Sequence, residues 1–446
     1  MLNSKKIYLI LSISFTLFLF VFFTSKANEP YLDCRDLPIT NRGGSDQLDY
    51  FTMSSGVKSL GEWKNSLNNE IVINWIYDVN NYKNTNPKCY EKNFKNIEYV
   101  SEKINLSKPS SRYALRPWGY PTLLSIFLVE KNPYFQLRLF NVLISAATLL
   151  VIYMCTNTIT KNPFISMWFL NFYLVISFVE MSINPRLSIY TYQFLLLTEP
   201  LSLFIYSLIG YLFIRHGKLN IPIVFLFFLS YFIKQMNLII FIVFICLYAV
   251  LSFIKYKSID LKIVLYFLLF LSFCIPIFVY NFQTTQSYSL ITGAGGWRDM
   301  PPSFNLDYKI KNFYTLRADM FNEYINDKGI SSSSYIENAL ISREMFFDNL
   351  GTNIKNLPQL FIYKLGQSLR SISGILTIFS IFFYLIKHKF KNDNLNLLIL
   401  LFLSNLIFIN LVTPDFGRHL FQSSYIYIII SAYMYKNLTT QSMKFK

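Results

Sequence analysis

Long apolar segments recur from one end of the chain to the other and constrain its fold more than any other feature. The chain has 446 residues, of which 53% are hydrophobic and only 15% are charged. That is more apolar surface than a water-soluble core hides, so the sequence predicts an all-α polytopic membrane protein. The apolar segments cover about 7–25, 118–130, 135–156, 163–181, 198–214, 221–236, 238–254, 261–281, 368–386, 394–413 and 420–435.

Clusters of positive charge between these segments predict which loops face the cytoplasm. A net charge of +16 would indicate nucleic acid in a water-soluble protein. In a membrane protein, short loops rich in lysine and arginine stay in the cytoplasm, so we expect no nucleic-acid partner. The clusters are Arg215 with Lys218; Lys255, Lys257 and Lys262; Lys387, Lys389 and Lys391; and Lys436, Lys444 and Lys446.

Counting crossings between these clusters predicts ten transmembrane helices with both termini in the cytoplasm. The count works if both ends of segment 118–130 lie outside, and this segment is shorter than the about twenty residues that crossing requires. We therefore expect a re-entrant or interfacial helix there, with Pro121 in its first turn. The alternative is a short span that places Lys131 in the cytoplasm.

This topology predicts five regions. They are an N-terminal transmembrane anchor (1–25), a first external loop (26–117), a transmembrane core (118–281), a second external loop (282–365) and C-terminal transmembrane helices (366–446). The first apolar segment could also be a signal peptide that ends at Ser25–Ala27, so both interpretations stay open.

The five cysteines divide between loop and apolar segments. Cys34 and Cys89 share the first external loop, where a disulfide between them is a candidate outside the cytoplasm. Cys155, Cys246 and Cys274 lie in apolar segments and are expected to be buried packing residues.

Unusual polar residues cluster at the ends of segments that this topology places outside. They include Asp46 and Asp49 early in the first loop, "RPWGYP" (Arg116–Pro121), Glu199 in "LLTEP", Lys234 and Gln235 in "FIKQMN", and Arg418 and His419 in "PDFGRH". Singly, such residues are often turn, capping or snorkelling side chains. Together on one face, they indicate a substrate site, because ionisable groups at membrane depth are otherwise unfavourable.

A carboxylate with several cations at a lipid–water boundary suits attack by a hydroxyl on a lipid-linked phosphodiester. The carboxylate accepts the hydroxyl proton, and the cations neutralise the phosphate oxygens as the leaving group gains charge. An outward-facing site has no access to cytosolic nucleotide sugars. A sugar carried on polyprenyl phosphate is therefore the expected donor.

The order of these motifs resembles the C-type (GT-C) polytopic glycosyltransferases that use polyprenyl-phosphate sugars. This family includes the bacterial aminoarabinose transferases and the protein O-mannosyltransferases. The matching pieces are Asp46 followed by Tyr50, "RPWGYP", "LLTEP", the "YNF" at Tyr280–Phe282, and the "GRH" at Gly417–His419. The likeness covers most of the chain as an ordered architecture, although each motif is short.

The resemblance implies that Asp46 is the general base and that Glu199 lies near the catalytic pocket. Asp49 and Tyr50 are the further pocket candidates beside Asp46. Many relatives carry paired acids at the first site, whereas Gln47 follows Asp46 here. The need for a divalent metal is therefore open, and no metal site is predicted.

The resemblance also implies a donor site lined by the "RPWGYP" segment, with Arg116 and Tyr120, and a donor-phosphate contact from Arg418. Lys234 and His419 are the remaining candidates for phosphate binding, and His419 stands where tyrosine is frequent in relatives. The chain lacks a "WWD" sequence, so an oligosaccharyltransferase that acts on asparagine is not expected.

The sequence thus predicts a glycosyltransferase of the cytoplasmic (inner) membrane whose active site faces the periplasm. It would move one sugar, with inversion, to a glycan, lipid or protein acceptor. One alternative is an O-antigen-type polymerase or ligase, which would use the second external loop. The other is a non-enzymatic transporter or lipid flippase, whose polar residues usually lie nearer to mid-membrane.

Overall fold

The computed structural model consists of helices with short connections in the part of the chain that it describes. That part contains no strand. It comprises residues 4–33, 50, 54, 119–127, 133–183, 187–193, 198–258, 260–285, 301–309, 313–331, 335–368, 371–388, 393–412 and 421–444. The all-α prediction is confirmed for these residues.

The helices are numbered in chain order. They are α1 (Ser4–Asp33), α2 (Gly119–Phe127), α3 (Pro133–Thr160), α4 (Pro163–Ile183), α5 (Ile189–Tyr192), α6 (Glu199–His216), α7 (Ile221–Ile233), α8 (Asn237–Tyr256), α9 (Leu261–Thr285), α10 (Phe313–Lys328), α11 (Tyr335–Asp348), α12 (Leu350–Ser368), α13 (Ile372–His388), α14 (Asp393–Val412) and α15 (Ile426–Lys444). Short 3₁₀ turns lie at Leu306–Lys309 and Phe421–Ser423.

Five helices in the described ranges are long and apolar enough to cross a membrane. The apolar stretches are Lys6–Ala27, Gln136–Thr160, Pro163–Ile183, Asn237–Tyr256 and Leu261–Val279. Large apolar side chains on them face outward, such as Trp168 of α4, which is 78% exposed. Apolar surface of this kind is stable against lipid and unfavourable against water, so the chain is a membrane-spanning protein.

The other predicted spans form helices that are shorter or carry polar ends. α7 has 13 residues and is therefore about 20 Å long, less than the about 30 Å of a hydrocarbon core. α13 and α14 also contain shorter apolar stretches. α6 has 18 residues but begins at Glu199 and ends with Arg215 and His216. Its two ends shorten its apolar part.

α6 is the centre of the helix assembly. It packs against α3, α5, α7 and α14 and against the 3₁₀ turn Phe421–Ser423. Most of its side chains are buried, including the polar Glu199, Ser202 and Ser207. By contrast, α1 lies at the outside, where it packs mainly against α4. The polar groups of α6 are therefore held inside the protein.

Local sequence signals explain where several helices begin and end. The Asn162 side chain accepts the backbone N–H of Phe164 (3.0 Å) at the start of α4, where Pro163 is the first residue. The Asn220 side chain likewise accepts the N–H of Ile223 (3.1 Å) at the start of α7. Such side chains satisfy N–H groups that have no partner within the helix.

Residues 301–368 contain α10, α11 and most of the second predicted external loop. Phe304 packs edge-on against Phe346 of α11 (ring centroids 5.1 Å apart), and α12 packs against α14. α1 includes the predicted anchor and continues as a helix to Asp33.

One prediction about the cysteines is wrong. Cys246 is exposed on α8, although Cys155 and Cys274 are buried as expected.

Candidate functional site

The helix that follows the "RPW" sequence is short and fits closely against the end of α7. α2 has nine residues and begins at Gly119, with Pro121 in its first turn as predicted. A side chain at Gly119 would collide with the backbone carbonyl of Phe232. Only glycine allows this close approach. The start of α2 is thereby held beside the end of α7.

Tyr120 connects this helix to the first predicted external loop. Its ring contacts the ring of Tyr50 edge-on, with centroids 5.1 Å apart, and both side chains are buried. Its hydroxyl donates to Asn141 Oδ1 on α3 at 3.2 Å. Burial raises the pKa of Tyr120, and nearby Tyr50 and Glu199 raise it further, against the lowering effect of Asn141. Tyr120 therefore remains a neutral hydroxyl.

Glu199 and Lys234 form a buried ion pair. Glu199 is the first residue of α6, and Lys234 follows α7, in the tight turn that the sequence predicted. Lys234 Nζ lies 3.3 Å from Glu199 Oε1, and the two side chains are only 11% and 1% exposed. We call Tyr50, Tyr120, Glu199 and Lys234 the ion-pair site. Four motifs that are far apart in the sequence contribute to it.

A row of side-chain amides joins the Lys234 turn to the start of the last helix. Gln422 Nε2 donates to Asn405 Oδ1 (2.9 Å) and, more weakly, to Asn237 Oδ1 (3.5 Å). Asn237 is the first residue of α8, and its backbone N–H donates to the carbonyl of Lys234 at 2.8 Å. The amides therefore connect Gln422 to the turn that carries Lys234.

Two buried charges were missed by the sequence analysis. Arg138 of α3 is 1% exposed and lies one helical turn before Asn141, the hydrogen-bond partner of Tyr120. Glu180 of α4 is also 1% exposed. Both lie inside segments that were predicted as spans. A single charge within an apolar segment is the signal that would have found them.

The remaining predicted site residues lie outside the described part of the chain. They are Asp46, Asp49, Arg116, Arg418, His419 and the cysteines Cys34 and Cys89. The structure therefore brings together Tyr50, Tyr120, Glu199 and Lys234. Within the described ranges, no group of three or more His, Cys, Asp or Glu side chains is arranged to hold a metal ion.

Comparison with known proteins adds no family to these observations. No protein-family model matches the sequence, and no curated protein or solved structure is similar enough to count as a match.

Proposed function

We propose that this protein is a C-type integral membrane glycosyltransferase that moves a sugar from a polyprenyl phosphate to an acceptor on the non-cytoplasmic face. The observation that carries the proposal is the ion-pair site. Tyr50, Tyr120 and Glu199 come from three of the motifs on which the resemblance rests, and they meet Lys234 of the "FIKQMN" turn among three helices. This meeting of separate motifs supports the proposal.

Chain connectivity supports the participation of Asp46, Arg116 and Arg418. An extended chain spans at most about 3.6 Å per residue, so four residues keep Asp46 within about 14 Å of Tyr50. By the same rule, Arg116 lies within about 11 Å of Gly119, and Arg418 within about 11 Å of Phe421. Tyr50 belongs to the ion-pair site, Gly119 directly precedes its Tyr120, and the amide row links the Lys234 turn to Gln422.

The proposed mechanism gives each charge one task. Asp46 accepts the proton of the attacking acceptor hydroxyl, which displaces polyprenyl phosphate from the anomeric carbon in one step and inverts its configuration. Arg116, Arg418 and His419 neutralise the phosphate oxygens as they gain charge. The Lys234 ammonium has three N–H donors, so its contact with Glu199 is compatible with a phosphate contact.

Glu199 holds the Lys234 ammonium in place before the donor binds. A buried lysine without a carboxylate partner would lose its proton or move towards water. The carboxylate 3.3 Å away keeps it charged. Preorganised charge of this kind stabilises a developing phosphate without reorganisation during the reaction.

The topology belongs to the same proposal. We infer ten spans, with the basic clusters in the cytoplasm and the ion-pair site towards the outer face of a cytoplasmic membrane. α6, α7, α13, α14 and α15 supply the five spans beyond the long apolar helices. α2, with nine residues, would lie in the outer leaflet rather than cross.

Transfer by the reconstituted protein tests the proposal. The purified chain in proteoliposomes would be given polyprenyl-phosphate monosaccharides, each with a radiolabelled sugar, together with a total cell-envelope extract as acceptor. We expect label from one donor to enter the extract and Asp46→Asn to abolish this. Arg418→Ala should mainly raise the donor concentration required. Transfer by Asp46→Asn at the wild-type rate would remove Asp46 as the base, and no transfer from any donor would overturn the proposal.

A further inference from the structure

A second group of buried polar atoms, none of which belongs to the ion-pair site, lies around Glu180. α4 packs against α5, α13 and α15, and α13 packs against α15. Each contributes a buried polar side chain there: Glu180 from α4, Tyr190 from α5, Ser373 from α13 and Tyr427 from α15. We call these four residues the hydroxyl site. The sequence analysis singled out none of them.

The protein itself compensates the charge of Glu180. Its Oε2 atom accepts the backbone N–H groups of Ile372 (3.1 Å) and Ser373 (3.4 Å) in the first turn of α13. Backbone amides at a helix N-terminus stabilise a carboxylate. The other oxygen, Oε1, is buried and has no hydrogen-bond partner in the part of the chain that the structure describes. One strong acceptor is therefore left, although the carboxylate needs no cation.

Among the described residues, three buried hydroxyl groups on the helices around this carboxylate also lack hydrogen-bond partners: Ser373 Oγ, Tyr427 Oη and Tyr190 Oη. Ser373 contacts Glu180 through its backbone N–H, and Tyr427 lies on α15, which packs against α4. The Tyr190 ring lies 6.2 Å from that of Phe178, which precedes Glu180 by two residues on α4. Buried polar atoms in proteins nearly always have partners, so four without partners in one region indicate a bound group.

We propose that the hydroxyl site binds the neutral, hydroxyl-rich head group of a membrane glycolipid. A carboxylate oxygen only accepts hydrogen bonds, whereas the three hydroxyls both donate and accept. A sugar offers several O–H groups that meet both needs. Glu180 would repel a phosphate. A bound cation is not required either, because backbone N–H groups already compensate the charge of Glu180.

This assignment rests on the proposed function and gives the two sites separate tasks. The donor phosphate binds at the ion-pair site, where Lys234 supplies positive charge. The acceptor sugar binds at the hydroxyl site, where no side chain among the four is cationic. The acceptor of the reaction is then a glycolipid rather than a protein.

Substitutions at the site have an unusual expected signature. Tyr427→Phe and Ser373→Ala each remove a hydroxyl that has no partner in the unliganded protein. Its thermal stability should therefore be unchanged or slightly higher, while glycolipid binding should fall. Tyr384→Phe is the matched control, because the Tyr384 hydroxyl donates to Asn396 Oδ1 at 2.9 Å between α13 and α14. That control should lower stability and leave glycolipid binding unchanged.

Native mass spectrometry of the full-length protein tests the assignment with three lipid probes. They are monoglucosyl-diacylglycerol, diacylglycerol without a sugar, and undecaprenyl phosphate. We expect the wild type to retain the glucosyl lipid about tenfold better than diacylglycerol, the factor that one hydrogen bond to a charged group provides. Tyr427→Phe and Ser373→Ala should reduce this preference and leave undecaprenyl phosphate retention unchanged. Lys234→Met should reduce undecaprenyl phosphate retention and leave the preference for the glucosyl lipid unchanged.

Equal retention of the glucosyl lipid and diacylglycerol by the wild type would overturn the assignment. The assignment would also be overturned if both Tyr427→Phe and Ser373→Ala preferred the glucosyl lipid over diacylglycerol as strongly as the wild type does. A lower melting temperature for both variants without any lipid would show that ordered water satisfies these hydroxyls, and would likewise overturn it. Undecaprenyl phosphate retention that does not depend on Lys234 would instead count against the proposed function.

Discussion

Removing the two charges of the ion-pair site, first singly and then together, should show whether the pair contributes only to stability. At 3.3 Å and an effective dielectric constant of about 20, the attraction between Lys234 and Glu199 is about 5 kcal/mol. Their side chains are 11% and 1% exposed, so salt screens the pair only weakly. Removing one partner leaves a buried charge, and we expect Lys234→Met or Glu199→Gln to destabilise the protein by about 3–5 kcal/mol.

The double variant Lys234→Met with Glu199→Gln separates structure from function. Replacing both charges is often nearly neutral, so unfolding in detergent should show that most of the lost stability returns. Sugar transfer should remain lost, because the cation that we propose for the donor phosphate is missing. A double variant that recovers both stability and transfer would refute the reasoning and make the pair purely structural.

The chain provides a matched control for this cycle. Lys255 and Asp393 form an ion pair of 2.5 Å at the ends of α8 and α14, with side chains that are 40% and 46% exposed. Exposed pairs contribute about 0–1 kcal/mol. Lys255→Met and Asp393→Asn should therefore change unfolding little and leave transfer intact.

Two further predictions concern α2 and the second predicted external loop. Gly119→Ala should destabilise the protein by about 1–3 kcal/mol in the same unfolding assay, because the new methyl group meets the carbonyl of Phe232. Gly366→Ala is the control and should not destabilise the protein, because Gly366 of α12 faces open space. The hydrogen bond from Tyr324 lowers the pKa of Asp348 below its value in the unfolded chain. The stability that the Asp348 carboxylate contributes is therefore present above the unfolded pKa and is lost as pH falls through the folded pKa. The hydrogen-exchange protection factors of α11, corrected for the pH dependence of intrinsic amide exchange, should fall on acidification, and Asp348→Asn should remove this fall; equal acid sensitivity in the variant would contradict the assignment.

The turn chemistry around the ion-pair site could be predicted from local sequence. Pro121 in a short apolar stretch predicted a helix too short to cross, and α2 has nine residues. "FIKQMN" between two apolar runs predicted a tight turn, and α7 ends one residue before Lys234. Both features depend on neighbouring residues, which the sequence displays directly.

Features that depend on packing could not be predicted in the same way. Charges at the ends of segments indicated the site, whereas Arg138 and Glu180 lie within segments and were not predicted. Cys246 lies in an apolar segment, which favoured burial, but lipid allows an apolar helix to expose such a face. Periodicity does not distinguish a lipid-facing position from a protein-facing one. Partners across the assembly, such as Glu180 with the start of α13, depend on tertiary contacts.

The most direct test of the central claim compares the glycolipids and glycans of the cell envelope by mass spectrometry. The cells to compare lack the gene or carry it as wild type, as Asp46→Asn or as the control Lys255→Met. We predict that one species heavier by a single sugar disappears without the gene and returns with the wild type and the control only. An identical envelope with and without the gene, or restoration of the species by Asp46→Asn, would contradict the claim.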